Sequence, residues 1–118
     1  VESSHCYSDM GAFVDEAHRV LKPGGHFAWT DFRDAKTIEE VRNKFSSSEF
    51  EILKDVDITK EVLAALDEIS DDKQSRIQKG TGRIIRRSFE TFAGVRGTPV
   101  YEAFTKGELG YYRCLLRK

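Results

Sequence analysis

The chain has 118 residues, 39% of them hydrophobic, and a formal net charge of −1 from 19 basic and 20 acidic side chains. That length ordinarily makes one domain with a core and little to spare, and so even a charge balance argues against a nucleic-acid or membrane-surface protein. With no apolar run near the roughly 20 residues that cross a bilayer and no signal peptide at its start, the sequence is expected to be cytoplasmic. Cys6 and Cys114 lie at opposite ends without metal-ligand spacing, so they are expected as reduced thiols and no metal site is expected.

Val1 to Tyr7 reads as a strand. The next stretch places Met10, Phe13, Val14, Ala17, Val20 and Leu21 at three- and four-residue spacing, with Asp15, Glu16, His18 and Arg19 between them, which predicts a helix burying one stripe. Ser8 or Asp9 can cap it, Ser8 being better placed. Lys22-Pro23-Gly24-Gly25 ends the helix, because proline cannot continue it and glycine permits a tight exit turn. His26 to Phe32 follows as an apolar strand. Helix, glycine turn and strand make the second half of a βαβ crossover, which calls for a strand before the helix. Only Val1 to Tyr7 is available for that.

Arg33 to Lys36 reads as a polar connection, and Thr37 with Glu40 as a capping box opening a helix through about Phe45, broken by Ser46-Ser47-Ser48. Phe50, Ile52, Leu53, Val56 and Ile58 predict a strand with imperfect alternation. Thr59 caps a helix carrying Val62, Leu63, Leu66 and Ile69, punctuated by Ser70-Asp71-Asp72. A longer helix carries Ile77, Ile84, Ile85, Phe89 and Phe92, although Gly80 and Gly82 weaken its first half. Gly94 to Pro99 is a loop, Val100 to Phe104 a helical turn and Gly110 to Leu116 the last strand. The order predicts an α/β fold with a helical insertion before the final strand. Val1 enters its strand with no turn before it and is not a methionine, as expected of a piece of a longer chain; maturation by methionine removal stays open as well.

Val1-Glu2-Ser3-Ser4-His5-Cys6-Tyr7, the helix ending Leu21-Lys22-Pro23-Gly24-Gly25, and Phe27-Ala28-Trp29-Thr30-Asp31 together resemble the region around strands four and five of class I S-adenosylmethionine-dependent methyltransferases. The likeness is to the small-molecule and lipid O-methyltransferase branch that includes the phthiotriolone dimycocerosate methyltransferases. It extends more faintly through Thr91 to Val95 and Tyr111-Tyr112-Arg113. The Leu-Lys-Pro-Gly-Gly ending is shared by many such enzymes, whereas Ser-His-Cys-Tyr is narrower. The resemblance implies a partial Rossmann-like sheet made of the C-terminal strands four to seven, with the last strand antiparallel between the two before it. It further implies one domain over 1–118 in which a helical insertion, 60–106, forms a lid over an acceptor pocket. S-adenosylmethionine would be the cofactor and a small or lipid-like molecule, methylated at oxygen, the substrate.

Ligands in open α/β sheets sit beyond the C-terminal ends of the strands. Ser4, His5 and Tyr7 would stand there and line the cofactor pocket. Methyl transfer needs positioning and, where the acceptor must lose a proton, a base; imidazole suits that work near neutrality, so His5 is the catalytic candidate. Its alternative role is packing at a strand end. Tyr7, Asp31 and Arg33 are the substrate-binding candidates, although Asp31, Arg33 and Asp34 also read as solvated loop charges. His18, on the polar helix face, and His26, at the far end of its strand, are weaker.

Lys73, Arg76, Lys79, Arg83, Arg86, Arg87 and Arg96 form a basic stretch, read first as a solvated helix face and alternatively as a surface for an anionic substrate, a membrane or nucleic acid. Gly80-Thr81-Gly82 is not a phosphate loop, since no strand precedes it and no lysine follows at the required spacing. The glycine-rich loop and ribose-binding acidic residue of the methyltransferase donor site are not among these residues, so the chain is expected to bind S-adenosylmethionine weakly and to be inactive alone. A non-catalytic binding or assembly module with the same fold is the alternative. An unpaired strand edge would also favour a homo-oligomer.

Overall fold

The computed structural model describes residues 1–76 and 99–118, with side chains outside 69–76. The chain divides into two compact units, Val1–Ile58 with Gly110–Lys118, and Thr59–Leu109.

The first unit opens with Val1 beside the strand β1, His26–Asp34. The Val1 nitrogen donates to the Ala28 carbonyl at 2.8 Å, and the Thr30 amide donates to the Val1 carbonyl at 2.9 Å. Bonding to residues on either side of Trp29 is the pattern of a parallel neighbour. The expected strand does not continue to Tyr7. Ser4–Cys6 form one 3₁₀ turn instead, because Ser4 and His5 turn inward to bond a buried carboxylate.

Helix α1, Met10–Val20, buries Val14 and is capped by Asp9, whose carboxylate accepts the Ala12 amide at 2.9 Å. Asp9, not Ser8, stands three residues before a free amide of the first turn. Gly24 takes φ +78°, and a Cβ on Gly25 would lie 2.8 Å from the Lys22 carbonyl, so both glycines of the exit turn are needed. β1 runs two residues past Phe32, so Arg33 and Asp34 belong to the strand rather than to a connection. Helix α2, Ala35–Ser47, begins at once, capped by the Asp34 carboxylate accepting the Lys36 and Thr37 amides at 3.0 and 2.8 Å. The expected Thr37–Glu40 box is therefore inside the helix. Ser48 closes it through its hydroxyl, which donates to the Phe45 carbonyl at 2.6 Å.

Strand β2, Glu51–Asp57, pairs antiparallel with the last strand. A register shift between Ile52 and Lys54 explains why its apolar residues alternate imperfectly. In the second unit, α3 spans Thr59–Arg76 and α4 spans Pro99–Thr105. α3 runs through Ser70-Asp71-Asp72, which was expected to break it; without proline or glycine, three polar residues do not stop a helix. The Tyr101 hydroxyl donates to Asp67 at 2.6 Å, tying α4 to α3. The expected helix from Ile77, the 94–98 loop and the basic residues from Lys79 to Arg96 lie outside the described residues.

Strand β3, Leu109–Arg117, lies between the other two, in the order β1-β3-β2. Lys118 exchanges backbone bonds with Gly24 and Gly25, both 2.9 Å, while the Thr30 hydroxyl donates to the Tyr112 carbonyl at 3.0 Å, so β3 also runs antiparallel to β1. This is the expected position and direction of the last strand. The core joins Phe27 and Trp29 of β1, Val14, the α2 residues Ile38, Val41 and Phe45, Phe50, and Cys114 and Leu116 of β3. His18 is not simply on a solvated face: its ring meets Phe50 edge-on at 4.9 Å.

Candidate active site

The inward-facing residues of β1 are Phe27, Trp29, Asp31 and Arg33, all buried. The first two belong to the apolar core. The second two carry that register on to the C-terminal end of the strand with opposite charges. A buried carboxylate is costly unless paired and hydrogen-bonded, and Asp31, with no exposed surface, meets that condition fully. Its Oδ2 accepts the Ser4 hydroxyl at 2.7 Å and the His5 amide at 2.9 Å, and forms an ion pair with an Arg33 nitrogen at 3.2 Å. Its Oδ1 lies 2.8 Å from His5 Nδ1 and accepts the Phe32 amide at 3.0 Å.

Ser4 is the second centre of the cluster. Its oxygen accepts the Trp29 indole N–H and an Arg33 N–H, each at 2.8 Å. The Arg33 guanidinium stands 5.9 Å from the Trp29 ring centroid. Burial by itself raises the Asp31 carboxyl, but hydrogen bonds from Ser4 and His5 and the Arg33 charge outweigh it and hold the group below the usual carboxylate range. Asp31 is therefore a fixed anion beside an imidazole whose side chain keeps 27% of its surface open.

Beside this cluster the His5 ring lies 4.5 Å from the Phe32 ring. Phe32 in turn faces Tyr111 at 6.4 Å. The Tyr111 hydroxyl bonds the Glu2 carboxylate. Burial pushes the Tyr111 phenol above its ordinary value, and the Glu2 bond and the Glu2 and Asp31 charges push it further.

The structure thus brings four sequence-predicted residues together, Ser4, His5, Asp31 and Arg33. It does not bring in Tyr7, whose hydroxyl meets that of Ser3 at 2.9 Å and whose ring packs edge-on against Phe13 at 4.8 Å. Asp31 and Arg33 are not solvated loop charges; ending β1 at Phe32 hid the fact that both continue its buried register. Trp29 was not foreseen as part of the site, and only its own place in that alternation could have pointed to it. Among the described residues, no group of three or more His, Cys, Asp or Glu side chains could hold a metal ion.

No family model matches the sequence. The chain is 32% identical over 111 residues to a phthiotriol/phenolphthiotriol dimycocerosates methyltransferase of Mycobacterium leprae, covering 94% of this chain and 41% of that protein. It is 31% identical to the Mycobacterium tuberculosis protein of that name with the same coverage. It is 29% identical to a fatty-acid O-methyltransferase of Mycolicibacterium smegmatis, over 81% of this chain and 35% of that one. The chain spans about two fifths of the length of the curated relatives it matches. Among solved structures, the cyclopropane synthase MmaA2 of Mycobacterium tuberculosis superposes with TM-score 0.66 at 14% identity, over 92% of this chain and half of that one. A geranyl diphosphate methyltransferase in complex with SAM gives TM-score 0.59 at 13% identity, over 98% of this chain and 48% of that one.

The fold is accordingly α/β, a partial Rossmann-like sheet of the kind found in class I S-adenosylmethionine-dependent methyltransferases. Within that class, the chain is a homologue of the phthiotriol dimycocerosates methyltransferases.

Proposed function

We propose that these residues form the C-terminal, acceptor-side part of a methyltransferase that moves a methyl group from S-adenosylmethionine to an oxygen of a small or lipid-like acceptor, with His5 as the general base where that oxygen is a hydroxyl. The observation that carries this reading is the contact between His5 and the buried, ionised Asp31 at the C-terminal end of β1. A sheet of this class places its ligands at that end. The relatives named for a lipid acceptor or a fatty acid support the acceptor class.

The described residues do not by themselves make a cradle for the donor. Every buried polar side-chain atom among them already has a partner, and among the described residues no strand runs into a glycine-rich loop that a nucleotide could approach closely. When bound, S-adenosylmethionine supplies the electrophilic methyl group. The chain's own part is to take a proton from the acceptor oxygen at His5, to hold the resulting imidazolium against Asp31, and to keep Asp31 ionised through Arg33. General-base assistance of this kind contributes about 10²–10⁴-fold.

His5 lines the donor side in this reading, with Ser4 buried behind it. Tyr7, bonded to Ser3 and packed on Phe13, contributes to this reading only as an exposed ring that a ligand could meet outside the cluster. Asp31 and Arg33 act on the acceptor through His5 rather than by touching it, since both are buried. The helical unit, expected at 60–106, serves as the lid over an apolar acceptor. The reading carries with it a cytoplasmic location, and inactivity of these 118 residues when separated from a donor-binding half. The test is to express the complete open reading frame that encodes them and assay S-adenosylhomocysteine release with long-chain fatty acids and phenolic lipids as acceptors. Acceptor-dependent release supports the reading; its absence across both acceptor classes, with the protein folded and binding donor, counts against it.

A further inference from the structure

We infer that His5 carries its single proton on Nδ1 and presents Nε2 as the proton acceptor, a polarity imposed from the core by Trp29 and Arg33. The argument uses only what each group is able to donate. Indole and guanidinium nitrogens are donors and never acceptors. Both point at the Ser4 oxygen, at 2.8 Å each, and fill its two lone pairs. The Ser4 hydrogen then has one remaining direction, the Asp31 Oδ2 at 2.7 Å.

Asp31 is thereby surrounded by groups that only give. The His5 and Phe32 amides and the committed Ser4 hydroxyl donate to it, and the Arg33 guanidinium pairs with it as a cation. A proton on the carboxyl would find no acceptor at Ser4, Arg33 or either amide; its one outlet would be His5 Nδ1. With Arg33 at 3.2 Å favouring the anion, that proton resides on the imidazole side. Nδ1 is the donor of the 2.8 Å contact, and Nε2, which has no hydrogen-bond partner among the described residues, keeps its lone pair. Trp29 and Arg33 are positioning residues, reaching His5 through Ser4 and Asp31. For its functional meaning the inference rests on the proposed role of His5, but the proton arrangement stands or fails independently of any methyltransferase activity.

The experiment is long-range ¹H–¹⁵N correlation of the histidine rings in the full 118-residue chain at pH 8.5, with His5 assigned by loss of its signals in His5→Gln. The expected result is a pyrrole-type, protonated Nδ1 and a pyridine-type Nε2. A dominant Nε2–H tautomer in the wild type overturns the inference outright. In Asp31→Asn, the amide oxygen is held by the two donors and the Arg33 cation at the Oδ2 position, which turns the NH₂ toward Nδ1; the tautomer should invert. Arg33→Met should raise the Nε2–H fraction, whereas a variant that is folded by its backbone amide spectrum and keeps the wild-type tautomer contradicts the part assigned to Arg33. Failure of either variant to fold leaves the wild-type spectrum as the deciding observation. Donor binding and activity are measured separately, so a correct tautomer in an inactive protein would leave the inference standing and remove only the proposed function.

Discussion

Ser4 and Arg33 meet through a 2.8 Å hydrogen bond buried between the 3₁₀ turn and the last inward-facing residue of β1. This contact, with the Arg33–Asp31 pair beside it, ties the opening segment to the C-terminal end of the strand. It leaves His5 at the rim and its charged partners inside. The order matters because the imidazole stays open to a ligand while the buried carboxylate is held in its charged form.

Removing Asp31 should be costly. In Asp31→Ala the Arg33 guanidinium stays buried without its partner, and breaking such a pair costs about 3–5 kcal/mol. Urea unfolding of the two proteins measures the difference; a loss well below 1 kcal/mol would show that the pair is open to water.

The same carboxylate sets an acid limit. Its folded-state pKa is depressed below that of the unfolded chain, so its contribution is complete above the unfolded value, about 3.9, and is lost as pH falls through the lower folded value. Stability of the wild type should therefore decline below about pH 4. A folded Asp31→Asn protein should show a flatter dependence there, and identical slopes for the two would contradict the assignment.

The two cysteines should differ sharply in reactivity. Cys6 is exposed and Cys114 buried; burial pushes the Cys114 thiol up to about 12, and the neighbouring Asp55 charge and hydrogen bond add to the shift. Since the thiolate is the reactive form, a disulfide reagent at pH 8 should modify Cys6 rapidly and Cys114 only after denaturation. Equal rates in the native chain would contradict the packing of β3.

Gly24 should not tolerate a side chain. At φ +78°, Gly24→Ala costs about 1–2 kcal/mol, the penalty of placing an L-residue in the left-handed region. Thermal melting checks it, and an unchanged midpoint would mean the exit turn relaxes freely.

Two edges bear on association. Among the described residues the sheet ends in β1 on one side and β2 on the other. β2 carries Glu51, Lys54, Asp55 and Asp57, charges that discourage strand addition. The β1 flank is covered beside Trp29 by Val1. Self-association of the chain is expected through the rest of that flank. Sedimentation at high concentration should reveal dimers, and a monomer throughout would dispose of the expectation.

Much of the fold was legible because it rests on local rules. The stripe of α1, except Val20, which is exposed rather than buried, the proline-glycine stop and the apolar run from His26 each follow from backbone chemistry within a few residues. The position of β3 between β1 and β2 came from a family resemblance, since strand order depends on contacts as distant as Thr30 with Tyr112. The site was half legible. Ser4, His5, Asp31 and Arg33 were marked by their place at a strand end, but the direction of each side chain was not. Ser-His at positions 4 and 5 looked like strand until the pull of Asp31 turned it into a 3₁₀ turn. Tyr7 illustrates the converse, a polar aromatic at the right sequence position whose hydroxyl is satisfied locally by Ser3.

The most direct test of the account is the turnover of the complete polypeptide carrying His5→Gln, compared with wild type at saturating S-adenosylmethionine and acceptor. The account predicts a fall in kcat of about 10²–10⁴-fold. A variant that turns over within twofold of wild type would show that the proton leaves by another route, and that the His5–Asp31 pair is a structural tie alone.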